Sequence, residues 1–211
     1  MMKPIIAIDG PAAAGKGTLA RRLASTLGLP YLDTGLLYRA VGRLVLDGGG
    51  DPADPATAET AARSLRPEDL DRSDLRGPRA DSAAASVASI PAVRAALLAF
   101  QRDFAAEHGA VLDGRDIGTV IFPDASAKLF VTASLGERAR RRWLELRAKD
   151  LDADIVTVEA DLRQRDAKDA ARSAAPLREA DDAYRLDTSE MDAETAFQSA
   201  LVFVRSRIGE S

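Results

Sequence analysis

Residues 10–18 read Gly10-Pro11-Ala12-Ala13-Ala14-Gly15-Lys16-Gly17-Thr18, a pattern whose chemistry is the holding of phosphate. Gly10 and Gly15 allow the backbone to curl until successive N–H groups point into one hollow. A helix starting at the end of the loop adds partial positive charge there, and Lys16 adds a full one. The residue after the lysine of such a loop is usually Ser or Thr. Here it is Gly17, and the hydroxyl comes one place later, on Thr18. A tight turn that binds nothing is the competing reading, and the strand before the loop and the helix after it weigh against that.

Further clusters could act on phosphate as well. Asp33-Thr34-Gly35-x-x-Tyr38-Arg39 opens a helix, so its N–H groups, the Thr34 hydroxyl and Arg39 one turn on suit a second phosphate. A plain helix cap with a solvated arginine has the same residues. Asp113-Gly114-Arg115-Asp116-Ile117-Gly118-Thr119 ends a buried strand. Beside a phosphate loop, Asp113 suits holding Mg²⁺ through its water shell, and Arg115 suits pairing with phosphate. A polar turn held by Arg–Asp pairing is the alternative.

Arg165, Asp169 and Arg172 are separated by four and three residues and so share one helical face. Arg138, Arg141 and Arg142 cluster around Trp143 in the same way. An exposed helix laced with its own ion pairs looks similar, but phosphoryl transfer needs cations over the transferring group, and that favours the functional reading. His108, the one histidine, sits beside Gly109 at a predicted helix end and suits a charge role there. With no cysteine and no Ser–His–acid set, acyl transfer and zinc hydrolysis have no residues to run on.

These clusters need elements to place them. Pro4–Asp9 reads as a buried strand, and Leu19, Leu23, Ala24 and Leu27 as a helix stopped by Gly28. Residues 29–32, 111–112, 128–132 and 183–187 read as further strands. Helices are predicted from Leu36 to Val45, over 81–89, from Val93 to Ala106 behind Pro91, over 136–149 and 156–172, and after Asp192. Residues 51–80 read as a short, partly helical surface excursion. Strands alternating with helices imply a parallel sheet covered on both faces, with ligands at the carboxyl ends of the strands. The polar clusters after Asp9, at Asp33-Thr34, at Asp113–Asp116 and at Asp187-Thr188-Ser189 fall at those ends.

The chain has 211 residues, 46% of them hydrophobic, and a net charge of −4. That size fits one ordinary domain. The charge disfavours binding nucleic acid by phosphate neutralisation. Asp9 interrupts the only apolar run near the N-terminus, so no signal segment or membrane span is expected, and the expected location is the cytoplasm.

Taken together, these residues resemble the bacterial cytidylate kinases, P-loop enzymes of the nucleoside monophosphate kinase group. The likeness runs from Ile5 to about Ser189. It is carried by Ile8 to Thr18, Leu32 to Arg39, Ile90-Pro91-x-Val93-Arg94, and Asp113 to Thr119 with Phe122-Pro123-Asp124-Ala125. Arg165-Asp166-x-x-Asp169-x-x-Arg172 with Ala175-Pro176-Leu177 completes it. The resemblance implies an α/β fold, a three-layer P-loop architecture around a five-stranded parallel sheet. Its core would span about 1–40, 81–136 and 173–211, with a short nucleotide-binding insertion over about 41–80 and a lid over about 137–172. It further implies a monomer with ATP and CMP or dCMP as small-molecule substrates and Mg²⁺ as cofactor.

Residue by residue, the resemblance implies that Gly10, Pro11, Ala12, Ala13, Ala14, Gly15, Lys16, Gly17 and Thr18 hold ATP. Thr18 and, through water, Asp113 would hold the metal. Thr34, Arg39 and Arg115 would grip the CMP phosphate, Arg94 and Asp116 would read cytosine, and Arg165 and Asp169 would contact sugar and phosphate. Lys16, Arg115, Arg165 and Arg172 would act on the transferring group. Two departures stand out. A serine that touches the base in the family falls at Ala85, with Ser82 and Ser86 nearby, and residues 51–80 lack the strand pattern of the extra small sheet found in many relatives. A kinase of another monophosphate or small metabolite, or a nucleotide-binding switch, is the alternative. The lack of an Asn-Lys-x-Asp segment speaks against a switch.

Overall fold

The computed structural model describes residues 3–148, 151–172 and 175–209. The chain forms two compact units, Met1–Leu32 with His108–Ser211, and Asp33–Glu107. Strands β1 (Ile5–Asp9), β2 (Tyr31–Asp33), β3 (Ala110–Gly114), β4 (Ala127–Thr132) and β5 (Tyr184–Asp187) make one five-stranded sheet in the order β2-β3-β1-β4-β5. β1 runs parallel to β3 and β4, with Ile6 opposite both Val111 and Ala127. β4 runs parallel to β5, with Val131 opposite Leu186. Parallel strands buried on both faces need nearly unbroken apolar runs. Ile6, Ala7, Ile8, Val111 and Leu112 supply them, and all are fully buried.

Two helices cover the face that carries Ile6, Ile8, Val111, Leu129 and Val131. α1 (Lys16–Leu27) turns Leu19, Leu23 and Ala24 onto it, and α8 (Ala193–Ile208) adds Phe197, Leu201 and Val204. α1 stops at Gly28, whose φ of 63° only glycine adopts at no cost and whose N–H returns to the Ala24 carbonyl. α8 starts where Asp192 accepts from the Thr195 N–H at 2.7 Å. α6 (Leu135–Arg147) and α7 (Ile155–Ala170) pack on each other, and Ala139, Val158 and Leu162 of this pair close over Ala12 of the phosphate loop. Of the helix predicted over 136–149, Lys149 lies outside the described residues, as do Ser173 and Ala174 at the expected return to the core. The second predicted helix, 156–172, ends two residues early, so Arg172 sits just beyond the last turn.

The Asp33–Glu107 unit is helical among its described residues after β2: α2 (Thr34–Asp47), α3 (Pro55–Ser64), α4 (Pro78–Ala88) and α5 (Pro91–Ala106), with a 3-10 turn at Pro67–Asp71. α2 and α4 touch backbone to backbone at Gly42, where a Cβ would lie 2.8 Å from that of Ala83. The stretch expected as a partly helical excursion contains a full helix. Asp54 accepts from the Thr57 N–H at 2.8 Å, Pro55 occupies the first helical position, and Ala58, Ala61 and Ala62 are buried. α2, α3, α4 and α5 pack together. This compact unit runs from Asp33 to Glu107.

Candidate active site

The phosphate loop leaves β1 at Gly10, where φ is 147° and a Cβ would stand 1.9 Å from the Val131 carbonyl oxygen. Only glycine passes this point. Ala13 (φ 60°) and Gly15 (φ 91°) then alternate the backbone hand, and that alternation turns N–H groups inward. α1 begins at Lys16, so the helix N-terminus opens directly onto the loop. Lys16 is buried, and its Nζ donates to the Pro11 carbonyl at 2.7 Å. Burial pushes its ammonium down to about 7 and the charge of Arg115 adds to this, against the pull of Asp113. A phosphate anion would restore its charge. Thr18 is exposed in the first turn, while Gly17 is flanked by Tyr31, Arg21 and Asp113 at 3.6–3.8 Å from where its Cβ would be.

Asp113, at the end of β3, is buried, and the Tyr31 hydroxyl donates to its Oδ1 at 2.8 Å. Its Oδ2 lies 3.8 Å from where a Cβ on Gly17 would be. A buried carboxylate oxygen turned to a phosphate loop, with the Thr18 hydroxyl one residue on, is a donor set that fits Mg²⁺. That ion takes one or two protein oxygens and completes its shell with water and substrate phosphate. Among the described residues no three Asp, Glu, His or Cys side chains converge on one point.

After Asp113 the chain runs through Arg115 and Asp116 into a wide turn, 117–121, closed by bonds from the Ile121 N–H to the Asp116 carbonyl (3.2 Å) and from the Phe122 N–H to the Ile117 carbonyl (2.7 Å). Such π-type turns are often found at functional sites. Asp116 is buried at its start. Arg115 Nε donates to Asp169 Oδ2 at 2.8 Å, and Arg172 pairs with Asp169 Oδ1 at 2.5 Å. Burial raises the Asp169 carboxyl, but the charges of Arg115, Arg172 and Arg165 outweigh it and hold the group below the usual carboxylate range. Arg165 therefore acts on both Asp169 and Lys16. Lys16, Arg115, Asp169, Arg172 and Arg165 thus make one charge constellation. Arg163 stays outside it, exposed and paired with Glu159 at 2.8 Å.

In the Asp33–Glu107 unit, Thr34 is buried as the first residue of α2, and Arg39 Nε donates to Asp81 Oδ1 at 2.9 Å. The Arg94 guanidinium lies 5.5 Å from the ring centre of buried Tyr38, and its Nη1 reaches the Ala88 carbonyl at 3.4 Å. Ala85 is half-buried in α4, and the Ser86 hydroxyl beside it donates back to the Ser82 carbonyl at 3.3 Å. The His108 Nδ1 lies 3.2 Å from Lys3 Nζ.

Two arginines take a larger part in the loop than their spacing suggested. Arg138 is buried and donates to the Ala133 carbonyl at 3.0 Å, to the Ala12 carbonyl at 3.4 Å, and to both oxygens of Asp166 at 3.1 and 2.7 Å. Arg141 donates to the Thr188 hydroxyl (2.9 Å) and carbonyl (2.6 Å), and that hydroxyl in turn reaches the Ala14 carbonyl at 3.3 Å. Together they tie α6, α7 and the end of β5 to the carbonyl side of the phosphate loop. Asp9 is the third such residue. Its carboxylate accepts from the Ile117 and Gly118 N–H groups at 2.8 and 2.7 Å. Apart from the Arg138 bond to the nearby Ala133 carbonyl, these contacts span between 28 and 174 positions of chain, and no helical or strand periodicity marks them. A buried acid directly before the loop was the one available signal.

A family model described as Cytidylate kinase matches residues 6–206. A Granulibacter bethesdensis protein named cytidylate kinase is 64% identical over 98% of this chain and 99% of its own length. One of that name from Acidiphilium cryptum is 65% identical over 95% of each. Among solved structures, an uncharacterized protein from Eubacterium ventriosum aligns over 97% of this chain and 99% of its own at TM-score 0.57 and 14% identity, a likeness of fold alone.

Proposed function

The chain belongs to the cytidylate kinase family and is a phosphotransferase, and on that footing we propose that it moves the γ-phosphate of ATP to CMP or dCMP, giving ADP and CDP or dCDP. The observation that carries this is Asp116, a buried acid held at the head of the 117–121 turn beside the Arg115–Asp169–Arg172 constellation. A buried carboxylate accepts from the exocyclic amine of cytosine, whereas uracil would set a carbonyl against it, lone pair to lone pair. Arg94 supplies the complementary donors for N3 and O2.

On this reading the backbone from Gly10 to Gly15 and the Lys16 ammonium hold the donor phosphates. Thr34, Arg39 and Arg115 hold the acceptor phosphate, while Arg165 and Asp169 contact its sugar and phosphate. Mg²⁺ on Thr18 and the water shell of Asp113 would neutralise charge on the donor phosphates. The acceptor oxygen is already anionic, so no side chain has to remove a proton from it. An acceptor phosphate oxygen forms the new bond to the γ-phosphorus as the bridging oxygen leaves with ADP, and Lys16, Arg115, Arg165 and Arg172 offset the charge on the way. The α6–α7 pair, packed on Ala12, excludes water from the transferring group.

The test is ADP formation from ATP against CMP, dCMP, UMP, AMP, GMP and shikimate. The reading expects the two cytidine nucleotides to lead by a wide margin. Preference for any other acceptor overturns it.

A further inference from the structure

We propose that Asp9 is a positioning residue for acceptor recognition: its buried carboxylate fixes the turn that carries Asp116 and so joins the phosphate loop to the base-reading acid. This rests on the assignment of Asp116 as the residue that reads cytosine. Alternation along β1 sends Ile6 and Ile8 to the α1–α8 face and leaves Asp9, like Ala7, on the other, where the 117–121 turn contacts β1 and β3. There the two carboxylate oxygens divide the work, Oδ1 accepting from the Ile117 N–H at 2.8 Å and Oδ2 from the Gly118 N–H at 2.7 Å. These are the first two amides after Asp116. With the Asp116 carbonyl engaged by the Val120 and Ile121 N–H groups at 2.9 and 3.2 Å, the peptide following Asp116 has no freedom to rotate.

The far side of the turn is equally fixed. Lys128 holds both oxygens of Asp182 at 2.8 and 2.9 Å, and its aliphatic stem lies against Gly118. A Cβ on Gly118 would meet Lys128 Cδ at 3.2 Å and Asp9 Oδ2 at 3.4 Å, so the turn is gripped between acid and stem. On the near side, Arg115 is pinned to Asp169 and to the Gly114 carbonyl at 3.2 Å.

A carboxylate in such a place is costly. Burial raises its pKa to about 6 and the nearby Asp116 charge adds to this, while the two amides and Lys16 oppose it. A hydrophobic residue would fill the same volume without that cost. The acid makes sense if the two charge-assisted bonds to the turn are what it supplies. Asp9 also precedes Gly10 directly, so the same residue anchors the start of the donor loop.

The experiment compares parent, Asp9→Asn, Gly118→Ala and Asp116→Asn at pH 7.5, reading kcat/KM for CMP and for UMP together with thermal midpoint. In Asp9→Asn one oxygen is replaced by an NH₂ facing an N–H donor, so the turn loses one bond. The ratio of CMP to UMP efficiency should then fall about tenfold, as the loss of one charge-assisted hydrogen bond implies, mostly through KM for CMP. A purely structural role would lower the thermal midpoint and leave that ratio where it was. Gly118→Ala pushes the turn from the other side and should lower the ratio in the same direction, so it carries the test if Asp9→Asn does not fold. An unchanged ratio in folded Asp9→Asn, or in Gly118→Ala where the former is lost, overturns the proposal. If Asp116→Asn itself leaves the ratio unchanged, the base-reading assignment fails and takes this proposal with it; a collapse there with no change in Asp9→Asn removes the positioning role alone.

Discussion

Arg115 and Asp169 are joined by an Nε–Oδ2 bond of 2.8 Å, although 54 residues separate them. The bond ties the segment after β3 to the last turn of α7. Arg172 takes the other oxygen of the same carboxylate, so a single buried acid sets the spacing of two cations. Asp169→Ala should release both. We expect kcat/KM for CMP to fall about a hundredfold, the scale of a roughly 1 Å misplacement of catalytic groups. Arg163→Ala, which removes an exposed arginine paired with Glu159 along its own helix, should stay within about twofold of the parent in the same steady-state assay. Equal losses in the two variants would place the effect in the general charge of α7 instead.

Arg138 is a stability prediction. It is buried and satisfies two backbone carbonyls and both oxygens of Asp166. Arg138→Ala leaves those acceptors without their donor, at a cost of about 3 kcal/mol. In a chain of this size that lowers the thermal midpoint by about 6–12 °C. Arg138→Lys cannot reproduce the fork and should recover less than half of the loss. Scanning calorimetry of the three proteins decides it.

Gly10 and Gly17 should behave oppositely. At Gly10 a Cβ would stand 1.9 Å from a carbonyl oxygen with φ at 147°, so Gly10→Ala must move β4 or the loop, with a loss of at least about 2 kcal/mol and no ATP-dependent turnover. At Gly17 the nearest atoms are at 3.6–3.8 Å, ordinary contact, and the residue lies in α1. Gly17→Ala should therefore raise the stability of the nucleotide-free protein by up to about 1 kcal/mol through helix propensity. A thermal midpoint below the parent's for Gly17→Ala would contradict this.

Asp9 gives a pH dependence with a definite sign. Its folded pKa is raised to about 6 from the ordinary aspartate value of 3.8, chiefly by burial. Between those values the folded state binds more protons than the unfolded one, so this group's contribution to stability is present below about pH 4 and is lost as pH rises to 6. The loss amounts to about 3 kcal/mol. Groups such as Glu137, held down to about 2 first by its bond to Arg140, work the other way and lose stability as pH falls. Subtracting the urea stability of Asp9→Asn from that of the parent isolates Asp9. The difference should fall from pH 4 to 6 and level off by about 7; a flat or rising difference would count against a buried, strained carboxylate.

Local patterns were enough to read much of this molecule. The Ile5–Ile8 run, the spacing of Leu19, Leu23 and Ala24, and Gly28 placed β1, the loop and α1. The polar residues ending β1, β2, β3 and β5 located the candidate site at the carboxyl edge of the sheet. α3 was harder because its buried face is made of Ala58, Ala61 and Ala62, which carry little hydropathy. The extent of the Asp33–Glu107 unit depends on packing among four helices, and single-helix periodicity is blind to that. The anchors of the loop and turn, Asp9, Arg138 and Arg141, were hidden for a related reason. Most of their partners are backbone and side-chain groups far along the chain, and bonds of that kind have no period in sequence.

On the proposed reading Asp116 selects cytosine by accepting from its amine, and exchanging that acceptor for a donor reverses the preference at that atom. In Asp116→Asn the side-chain NH₂ can donate to the uracil carbonyl that the carboxylate repels. Measured as kcat/KM for CMP over UMP, the parent should favour CMP strongly, and the variant should lose at least about a hundredfold of that preference, the sum of one bond lost and one gained. A variant that is folded, active and still as selective for CMP as the parent would contradict the account.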